Sequence, residues 1–144
     1  MADKFIDFQN ILLNHCRREG LSLSVYLLKG VRLQGVISGF DPFVLTLKRD
    51  GAEQLVYKHG VATIAARIPI EALDLAGVAG GEGLQQTYLD RAIGSDVEAF
   101  LVNGVRLGGR LVAHDRFTLL IEGPNETAQL IYKHALSSIS GTGR

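Results

Sequence analysis

The triplet Tyr-Lys-His occurs twice in this sequence, at residues 57–59 and 132–134, each time between two short apolar runs. A lysine ammonium group beside a histidine imidazole could be a catalytic pair, a metal site, a phosphate clamp or plain protein surface. The same three residues at two equivalent places favour a shared function over coincidence. What the pairs can do depends on the groups that the fold brings next to them.

Catalysis and metal binding are the less favoured alternatives. Catalysis by Lys and His requires a nucleophile or a second acid–base group within reach, and neither triplet has one nearby in the sequence. A metal site requires convergent ligands, and the histidines at positions 15, 59, 114 and 134 are far apart in the sequence. We predict that the chain is not an enzyme, has no catalytic residue and binds no metal or other cofactor.

The composition is that of a globular protein, with 47% hydrophobic and 21% charged residues. Its 15 Lys and Arg residues balance 15 Asp and Glu residues, so any anion-binding site must be local. No apolar run approaches the roughly 20 residues that cross a bilayer, and the single Cys16 cannot form an intrachain disulfide. We expect a cytoplasmic protein with no membrane association, in which Cys16 is a buried thiol.

The chain contains an internal repeat. Residues 25–47, VYLLKGVRLQGVISGFDPFVLTL, align without a gap on residues 99–121, AFLVNGVRLGGRLVAHDRFTLLI. The Tyr-Lys-His triplets are offset by one residue more, which places a one-residue insertion in the turn before the second triplet. An internal repeat determines the fold assignment, and this one predicts two small domains, at 1–66 and 84–140.

Each copy has the same predicted elements. An amphipathic helix comes first, and short runs rich in Val, Ile, Leu, Phe and Thr follow, separated by turn signals such as Asn103-Gly104. The apolar helix positions are Phe5, Phe8, Leu12 and Cys16 in the first copy and Leu84, Tyr88 and Ala92 in the second. Strands are predicted at 22–28, 31–40, 43–49, 54–58 and 61–66, and at 96–102, 105–114, 117–122, 128–133 and 136–140.

Residues 67–83 join the two copies, and four glycines within their last seven residues predict a flexible linker. A helix and five strands in about 60 residues make a small core, which buries roughly 60% of the unfolded surface. An open sheet also has two edges that readily pair with other strands. We therefore expect these units to assemble edge to edge.

Both copies resemble the family of the bacterial Sm-like RNA chaperone Hfq. The first copy is the more similar, through NHCRREGLSLSVYL, GVRLQG, FDPFVLTLK and VYKHGVATI in that order, whereas the second has diverged. The resemblance implies a mainly β fold of two Sm-like domains in tandem, each an N-terminal α-helix followed by a bent five-stranded antiparallel β-barrel. Family members carry one copy per chain and close into six-membered rings. Three tandem chains would then form a homo-oligomer, a trimeric pseudo-hexameric ring.

The resemblance also implies non-catalytic binding of single-stranded RNA, as in a post-transcriptional regulator, with uridine-rich RNA on the pore face of the ring. Phe43 and Phe117 would stack on bases, lysine would contact phosphate, and histidine would contact a base or ribose. In the family pattern Asp41 and Asp115 brace turns and are not catalytic. The residues implied on the pore face are Gln9, Phe40, Phe43, Tyr57, Lys58, His59, Gln85, His114, Phe117, Tyr132, Lys133 and His134.

The other face of the family ring binds A-rich RNA. The residues that match it are Tyr26, Gly30, Arg32, Leu33, Gln34, Thr63 and Arg106. In the second copy Gly108 stands where the family has the glutamine that reads adenine, and Phe100 stands where it has tyrosine. We therefore expect weakened A-rich binding on this opposite face.

A basic rim helps two RNAs to anneal in the family, and Arg17, Arg18 and Lys48 match it. The second copy keeps Arg91 but has Glu122 in place of Lys48, so the rim is less basic than the family pattern. The alternative to RNA binding is a structural or protein-interaction Sm ring with little RNA binding. The net charge of zero and the diverged second copy favour that alternative.

Overall fold

The computed structural model describes residues 8–75 and 83–141, and these form two copies of one arrangement. In each copy a helix, α1 (Phe8–Glu19) or α2 (Leu84–Ala92), precedes five antiparallel strands. The strands are β1 (Ser22–Leu27), β2 (Arg32–Phe40), β3 (Val44–Arg49), β4 (Ala52–Tyr57) and β5 (Val61–Ala66), then β6 (Asp96–Leu101), β7 (Arg106–His114), β8 (Thr118–Gly123), β9 (Thr127–Tyr132) and β10 (Leu136–Gly141). The predicted mainly β fold in two repeats is confirmed.

The long strands β2 and β7 bend at the same place in both copies. The pairing register shifts between residues 37 and 39 in β2 and between residues 111 and 113 in β7, as at a β-bulge. Close by, a Cβ on Gly35 would lie 2.7 Å from the Lys48 carbonyl oxygen, and a Cβ on Gly109 would lie 2.6 Å from a carbonyl oxygen of β8. Only glycine allows such a close approach of neighbouring strands, so these two residues permit the bend.

The ten strands form one antiparallel sheet in the order β10-β6-β7-β8-β9-β5-β1-β2-β3-β4. The order β5-β1-β2-β3-β4 of the first copy recurs in the second as β10-β6-β7-β8-β9. The two copies join where β5 pairs with β9, with Ile64 opposite Leu130 and Ala65 opposite Gln129. The sheet has two open edges, β4 and β10, and these strands are the counterparts of the two that form the β5–β9 junction.

The apolar cores of the two copies meet at the β5–β9 junction. The core of the first copy includes Leu120, Leu130 and Tyr132 of the second, and the core of the second copy includes Ala62 of the first. Helix α1 contacts β2 of its own copy and also β8 of the other. The two copies therefore share a buried interface within one chain.

Helix α1 buries the predicted apolar face. Phe8, Leu12 and Cys16 are at most 4% exposed, whereas Phe5 lies outside the described residues. Burial raises the pKa of the Cys16 thiol to about 11. Because the thiolate is the reactive form of cysteine, Cys16 is an unreactive core residue at neutral pH, as expected.

The predicted apolar face of α2 is wrong at its first position. Leu84 is 85% exposed, while Leu89, which was not predicted, is 3% exposed. Phe8, the counterpart of Leu84, is buried because α1 lies at the β5–β9 junction. Helix α2 lies near the open β10 edge, where the Tyr88 hydroxyl approaches Gly141, and no further copy covers Leu84 there.

The first half of the predicted linker packs on the first copy. Ile68, Ile70 and Leu73 are 4%, 8% and 7% exposed and belong to its core. They are held by a short 3-10 turn, Ile70–Ala72, that follows Pro69. The packed part of the first copy therefore extends beyond residue 66, and most of the glycine-rich half of the linker, residues 76–82, lies outside the described residues.

Candidate nucleic-acid interface

Both Lys-His pairs lie in single 3-10 turns between the last two strands of each copy. The turns are Lys58–Gly60 and Lys133–Ala135. The backbone N–H of the first residue of each turn donates to a phenylalanine carbonyl, that of Phe43 at 2.9 Å in the first copy and that of Phe117 at 2.8 Å in the second. The fold thus holds each predicted stacking residue next to a Lys-His turn.

The two phenylalanine side chains are exposed, Phe43 by 75% and Phe117 by 59%. Asp41 Oδ1 accepts hydrogen bonds of 2.8 and 2.9 Å from the N–H groups of Phe43 and the residue after it. Asp115 Oδ1 accepts the equivalent bonds at 2.9 and 2.7 Å. The backbone N–H groups of Phe43 and Val44 hold the pKa of Asp41 below its usual value. The turn-bracing role implied for both aspartates is confirmed.

Residues of the two copies contact each other at the β5–β9 junction. The Tyr132 hydroxyl donates to Gln9 Oε1 at 2.6 Å, and the Gln9 backbone N–H donates to Asp115 Oδ2 at 3.0 Å. The His134 ring stacks on Tyr132 at 5.2 Å between ring centres, and its Nε2 lies 2.8 Å from the Val61 carbonyl oxygen. Gln9 and the second Tyr-Lys-His triplet, which are distant in sequence, therefore form one cluster.

Four residues predicted to contact RNA on the pore face are buried, and Lys58, described below, is one of them. Gln9 is 5% exposed and Tyr132 is 3% exposed, and they hydrogen-bond to each other. His114 is 0% exposed, with Nε2 at 2.8 Å from Asp90 Oδ1 and with Nδ1 lacking a partner in the part of the chain that the structure describes. In these positions the side chains of Gln9, Tyr132 and His114 lie beneath the surface of the chain.

The lysines of the two turns have different surroundings. Lys58 is 6% exposed, and its ammonium group lies 5.7 Å from the centre of the Phe40 ring. Lys133 is half-buried, and burial lowers its pKa while the nearby Asp115 carboxylate opposes that shift. Because His114 occupies the place of Phe40 in the second copy, two otherwise equivalent cations lie beside different side chains.

The open β4 edge exposes the residues that β9 buries. Leu55 is 52% exposed and Tyr57 is 56% exposed, whereas their counterparts Leu130 and Tyr132 are 0% and 3% exposed. His59 is also exposed, with its ring 5.8 Å from that of Tyr57. Strand β4 thus presents the same kind of surface that β9 packs against β5.

The open β10 edge is likewise a less buried version of β5. Leu136 and Ile139 are partly buried, whereas Val61 and Ile64 at the same places in β5 are 0% exposed. Gln85 on α2 is exposed, whereas Gln9 at the same place on α1 is buried. Each open edge therefore lacks the neighbour that its counterpart has within the chain.

On the opposite face, the first copy has an open groove of about 250 Å³. Its lining residues are Arg32, Leu33, Gln34, Leu47, Arg49, Asp50, Ala52 and Gln54. The Arg32 guanidinium donates to the Ser24 hydroxyl at 3.1 and 3.2 Å, which fixes its position. Three residues predicted on this face therefore share one groove with two further polar side chains, Arg49 and Gln54.

The other residues predicted on the opposite face differ in accessibility. Tyr26 is 37% exposed, and Gly30 is exposed with a φ of 88° at the tip of the β1–β2 hairpin. Thr63 is 2% exposed, and its hydroxyl lies 3.4 Å from the Gln129 side-chain nitrogen across the junction. Tyr26 is accessible at the surface, whereas Thr63 contributes to the junction.

The second copy has a different opposite face. Arg106 forms a 3.8 Å ion pair with Glu98, whose counterpart in the first copy is the uncharged Ser24. Gly108, opposite Glu98 in the strand pairing, stands in the place of Gln34. This surface therefore has less free positive charge and lacks the amide group of the first copy.

The Hfq protein family model matches the chain twice, at residues 8–71 and 84–143. The chain belongs to the Hfq family. Proteins named RNA-binding protein Hfq from Bradyrhizobium sp. (strain ORS 278), Rhodopseudomonas palustris (strain TIE-1) and Bradyrhizobium diazoefficiens are 46% identical to it over 70 residues, which is 49% of this chain and 85% of each relative. A crystal structure of a protein described as the pleiotropic translational regulator Hfq is 29% identical, with a TM-score of 0.39, and the similarity covers 40% of this chain and 97% of that one. The predicted tandem arrangement of two Hfq copies is confirmed.

The rim of this tandem Hfq chain is unequally charged. Arg17, Arg18 and Lys48 are exposed in the first copy, and Arg17 donates to the Asn14 side chain at 2.7 Å. In the second copy Glu122 replaces Lys48 and accepts two hydrogen bonds, of 2.5 and 3.1 Å, from Arg110. The Glu122 carboxylate therefore offsets the positive charge of Arg110 in the second copy.

Sequence reasoning missed Arg49 and Gln54 as residues of an Hfq surface. Gln54 on β4 lies opposite Leu47 on β3. This pairing places Gln54 in the groove that Gln34 also lines. The alternation of side chains along a strand could indicate which face Gln54 occupies. It could not indicate the register of β4 on β3, which brings these side chains together.

Within the two described ranges, no group of three or more His, Cys, Asp or Glu side chains could hold a metal ion. No helix in the described part of this Hfq chain is long and apolar enough to cross a membrane. The absence of a cofactor remains a prediction.

Proposed function

We propose that this chain binds single-stranded RNA without catalysis and acts as a post-transcriptional regulator or RNA chaperone. The observation that carries the proposal is the exposed phenylalanine that each copy holds beside a Lys-His turn. An exposed aromatic ring stacks on any base, and the neighbouring lysine and histidine can contact phosphate and base or ribose. The Hfq relatives, which are named RNA-binding proteins, support this function.

In this proposal three chains close into a pseudo-hexameric ring. The β4 edge of one chain pairs with the β10 edge of the next, in the way that β9 pairs with β5. The repeat then places Ile139 opposite Leu55, as Ile64 lies opposite Leu130. The exposed apolar side chains of β4 favour this pairing because they are removed from water in it.

Uridine-rich RNA would bind on the pore face, where a ring repeats the phenylalanine and the Lys-His turn of both copies. Pockets at fixed spacing allow weak individual contacts to add up to a useful affinity. A-rich RNA would bind on the opposite face, mainly at the first copy, because Gly108 and the Arg106–Glu98 ion pair weaken the second. The preference for uridine is supported by the match of both copies to the Hfq family.

Fluorescence anisotropy with labelled hexauridine and labelled oligoadenine, at several salt concentrations, tests this function. We expect tight hexauridine binding. The logarithm of the association constant should fall linearly with the logarithm of the salt concentration, with a slope of roughly 0.7 for each neutralised phosphate. Oligoadenine is expected to bind more weakly. Failure of both oligonucleotides to bind contradicts the proposal.

The second candidate function is a structural or protein-binding ring with little RNA binding. It is favoured by the acidic residues of the second copy, where Glu98 and Glu122 pair with Arg106 and Arg110. The same titrations separate the two functions when they are combined with the mass of the assembly. A ring that binds neither oligonucleotide supports the structural function.

Replacing Gly108 with glutamine is expected to strengthen oligoadenine binding. A Cβ at Gly108 would lie 3.6 Å from the nearest atom, so the strand accepts a side chain there. A glutamine amide that pairs with adenine contributes about 1–3 kcal/mol, so affinity should rise at least roughly fivefold. Anisotropy with labelled oligoadenine measures this change.

Gly108→Ala is the matched control, because it adds the Cβ without the amide and should leave oligoadenine affinity unchanged. Hexauridine binding should be the same in both variants. Equal oligoadenine affinities for the glutamine and alanine variants would contradict the role assigned to the missing amide.

A further inference from the structure

Arg116 distinguishes the turn before Phe117 from its counterpart before Phe43. The two turns read Asp-Arg-Phe and Asp-Pro-Phe, with Pro42 at the place of Arg116, and both of these middle residues are exposed. The aspartate of each turn accepts two backbone hydrogen bonds of 2.7 to 2.9 Å. The substitution therefore changes the charge of the turn without changing its backbone.

The Arg116 guanidinium lies beside an exposed aromatic ring. Its central carbon is 6.0 Å from the centre of the Phe117 ring, and that ring is 59% exposed. This distance allows a cation–π contact, which holds the flexible arginine side chain over one part of the ring. A positive charge and a stacking surface are thus presented together.

Arg116 has no carboxylate partner in the described ranges. It forms no ion pair with any residue in 8–75 or 83–141. The adjacent Asp115 uses both oxygens elsewhere, Oδ1 for the N–H of Phe117 and for the N–H and hydroxyl of Thr118, and Oδ2 for the N–H of Gln9. By contrast, Arg106 and Arg110 of the same copy both pair with glutamates.

We propose that Arg116 and Phe117 form a nucleotide-binding element at the β5–β9 junction, in which the ring stacks on a base of single-stranded RNA and the guanidinium binds a neighbouring phosphate. The inference rests on the proposed RNA-binding function. A guanidinium suits this role because it donates two parallel hydrogen bonds to phosphate oxygens. The equivalent turn of the first copy, with Pro42, has the ring but no such cation.

The consequence is that a ring of tandem chains has two classes of pore-face pocket. The class at the β5–β9 junction has Arg116 in addition to Lys133, and the class between chains has only Lys58. Burial lowers the pKa of Lys133, whereas a guanidinium stays positive at any physiological pH. The pockets within chains should therefore bind RNA more tightly and with a steeper salt dependence than those between chains.

Hexauridine titrations of Arg116→Gln and of the reciprocal variant Pro42→Arg test this inference. Arg116→Gln should weaken binding and reduce the salt slope by roughly 0.7 for each phosphate that is no longer neutralised. Pro42→Arg should strengthen binding and increase the salt slope, because it places a guanidinium in the pockets between chains, which otherwise lack one. Arg67→Gln, which removes an exposed arginine outside both turns, controls for the general effect of a smaller positive charge.

The outcomes separate this inference from the proposed function. Hexauridine binding by the unmodified chain with an unchanged salt slope in Arg116→Gln overturns the role of Arg116 and leaves RNA binding intact. An equal reduction of slope in Arg67→Gln also overturns it. No hexauridine binding by the unmodified chain overturns both. Unchanged thermal unfolding of Arg116→Gln, expected because the turn is held by Asp115, shows that weaker binding does not arise from misfolding.

Discussion

Replacing Leu55 with aspartate is expected to break the proposed ring into single chains. Leu55 is 52% exposed on the open β4 edge, whereas its counterpart Leu130 is 0% exposed at the β5–β9 junction. Burying a leucine contributes about 1.5–3 kcal/mol, and an aspartate opposite Ile139 would be a buried charge without a partner. Each junction between chains should weaken by at least roughly 100-fold. Sedimentation velocity should show the mass of one chain in place of three.

Val31→Asp is the matched control for this prediction. Val31 is 50% exposed, but it lies at the β1–β2 hairpin and not on an edge strand, so its aspartate variant should keep the mass of the unmodified assembly. The Leu55 variant should retain its circular dichroism spectrum and bind hexauridine more weakly, since fewer pockets act together. An assembly of unchanged mass in Leu55→Asp would rule out pairing through β4.

The elements of the fold could be predicted because the repeat presents each of them twice. Turn signals such as Asn103-Gly104 and the offset between the copies limit where strands begin and end. The pairing of β5 with β9 could not be predicted, since both strands are short apolar runs that could pair with many partners. The exposure of Leu84 follows from that same pairing, because it depends on which copy has a neighbour.

The candidate site was predictable where local sequence determines it. Phe43 and Phe117 follow bracing aspartates, and a turn of that kind exposes the residue it carries. The burial of Gln9 and Tyr132 was not predictable, because it comes from a contact between residues 123 positions apart. His114 is fully buried, and its Nε2 lies 2.8 Å from Asp90 Oδ1 of α2. No local sequence pattern indicates this contact between two elements.

Replacing Asp115 with alanine is expected to destabilise a single chain far more than replacing Asp41. Asp115 is 4% exposed, and its carboxylate accepts hydrogen bonds from four donors, one of them the Gln9 N–H of the other copy. Removing it leaves buried donors without partners, at a cost of about 3–5 kcal/mol. Asp41 is fully exposed and accepts two backbone bonds, so the effect of its removal should be much smaller. Urea unfolding of both variants measures the difference.

The comparison between Asp115 and Asp41 also depends on the state of assembly. In the Leu55→Asp background the chains are expected to be monomeric, and Asp41→Ala should then have little effect on the free energy of unfolding. In the unmodified background the ring would bring the backbone N–H of Gln85 from the next chain to Asp41, as Gln9 meets Asp115. The cost of Asp41→Ala should therefore rise on assembly, whereas the cost of Asp115→Ala should not change. Equal costs for Asp41→Ala in both backgrounds would contradict a chain–chain junction that repeats the β5–β9 junction.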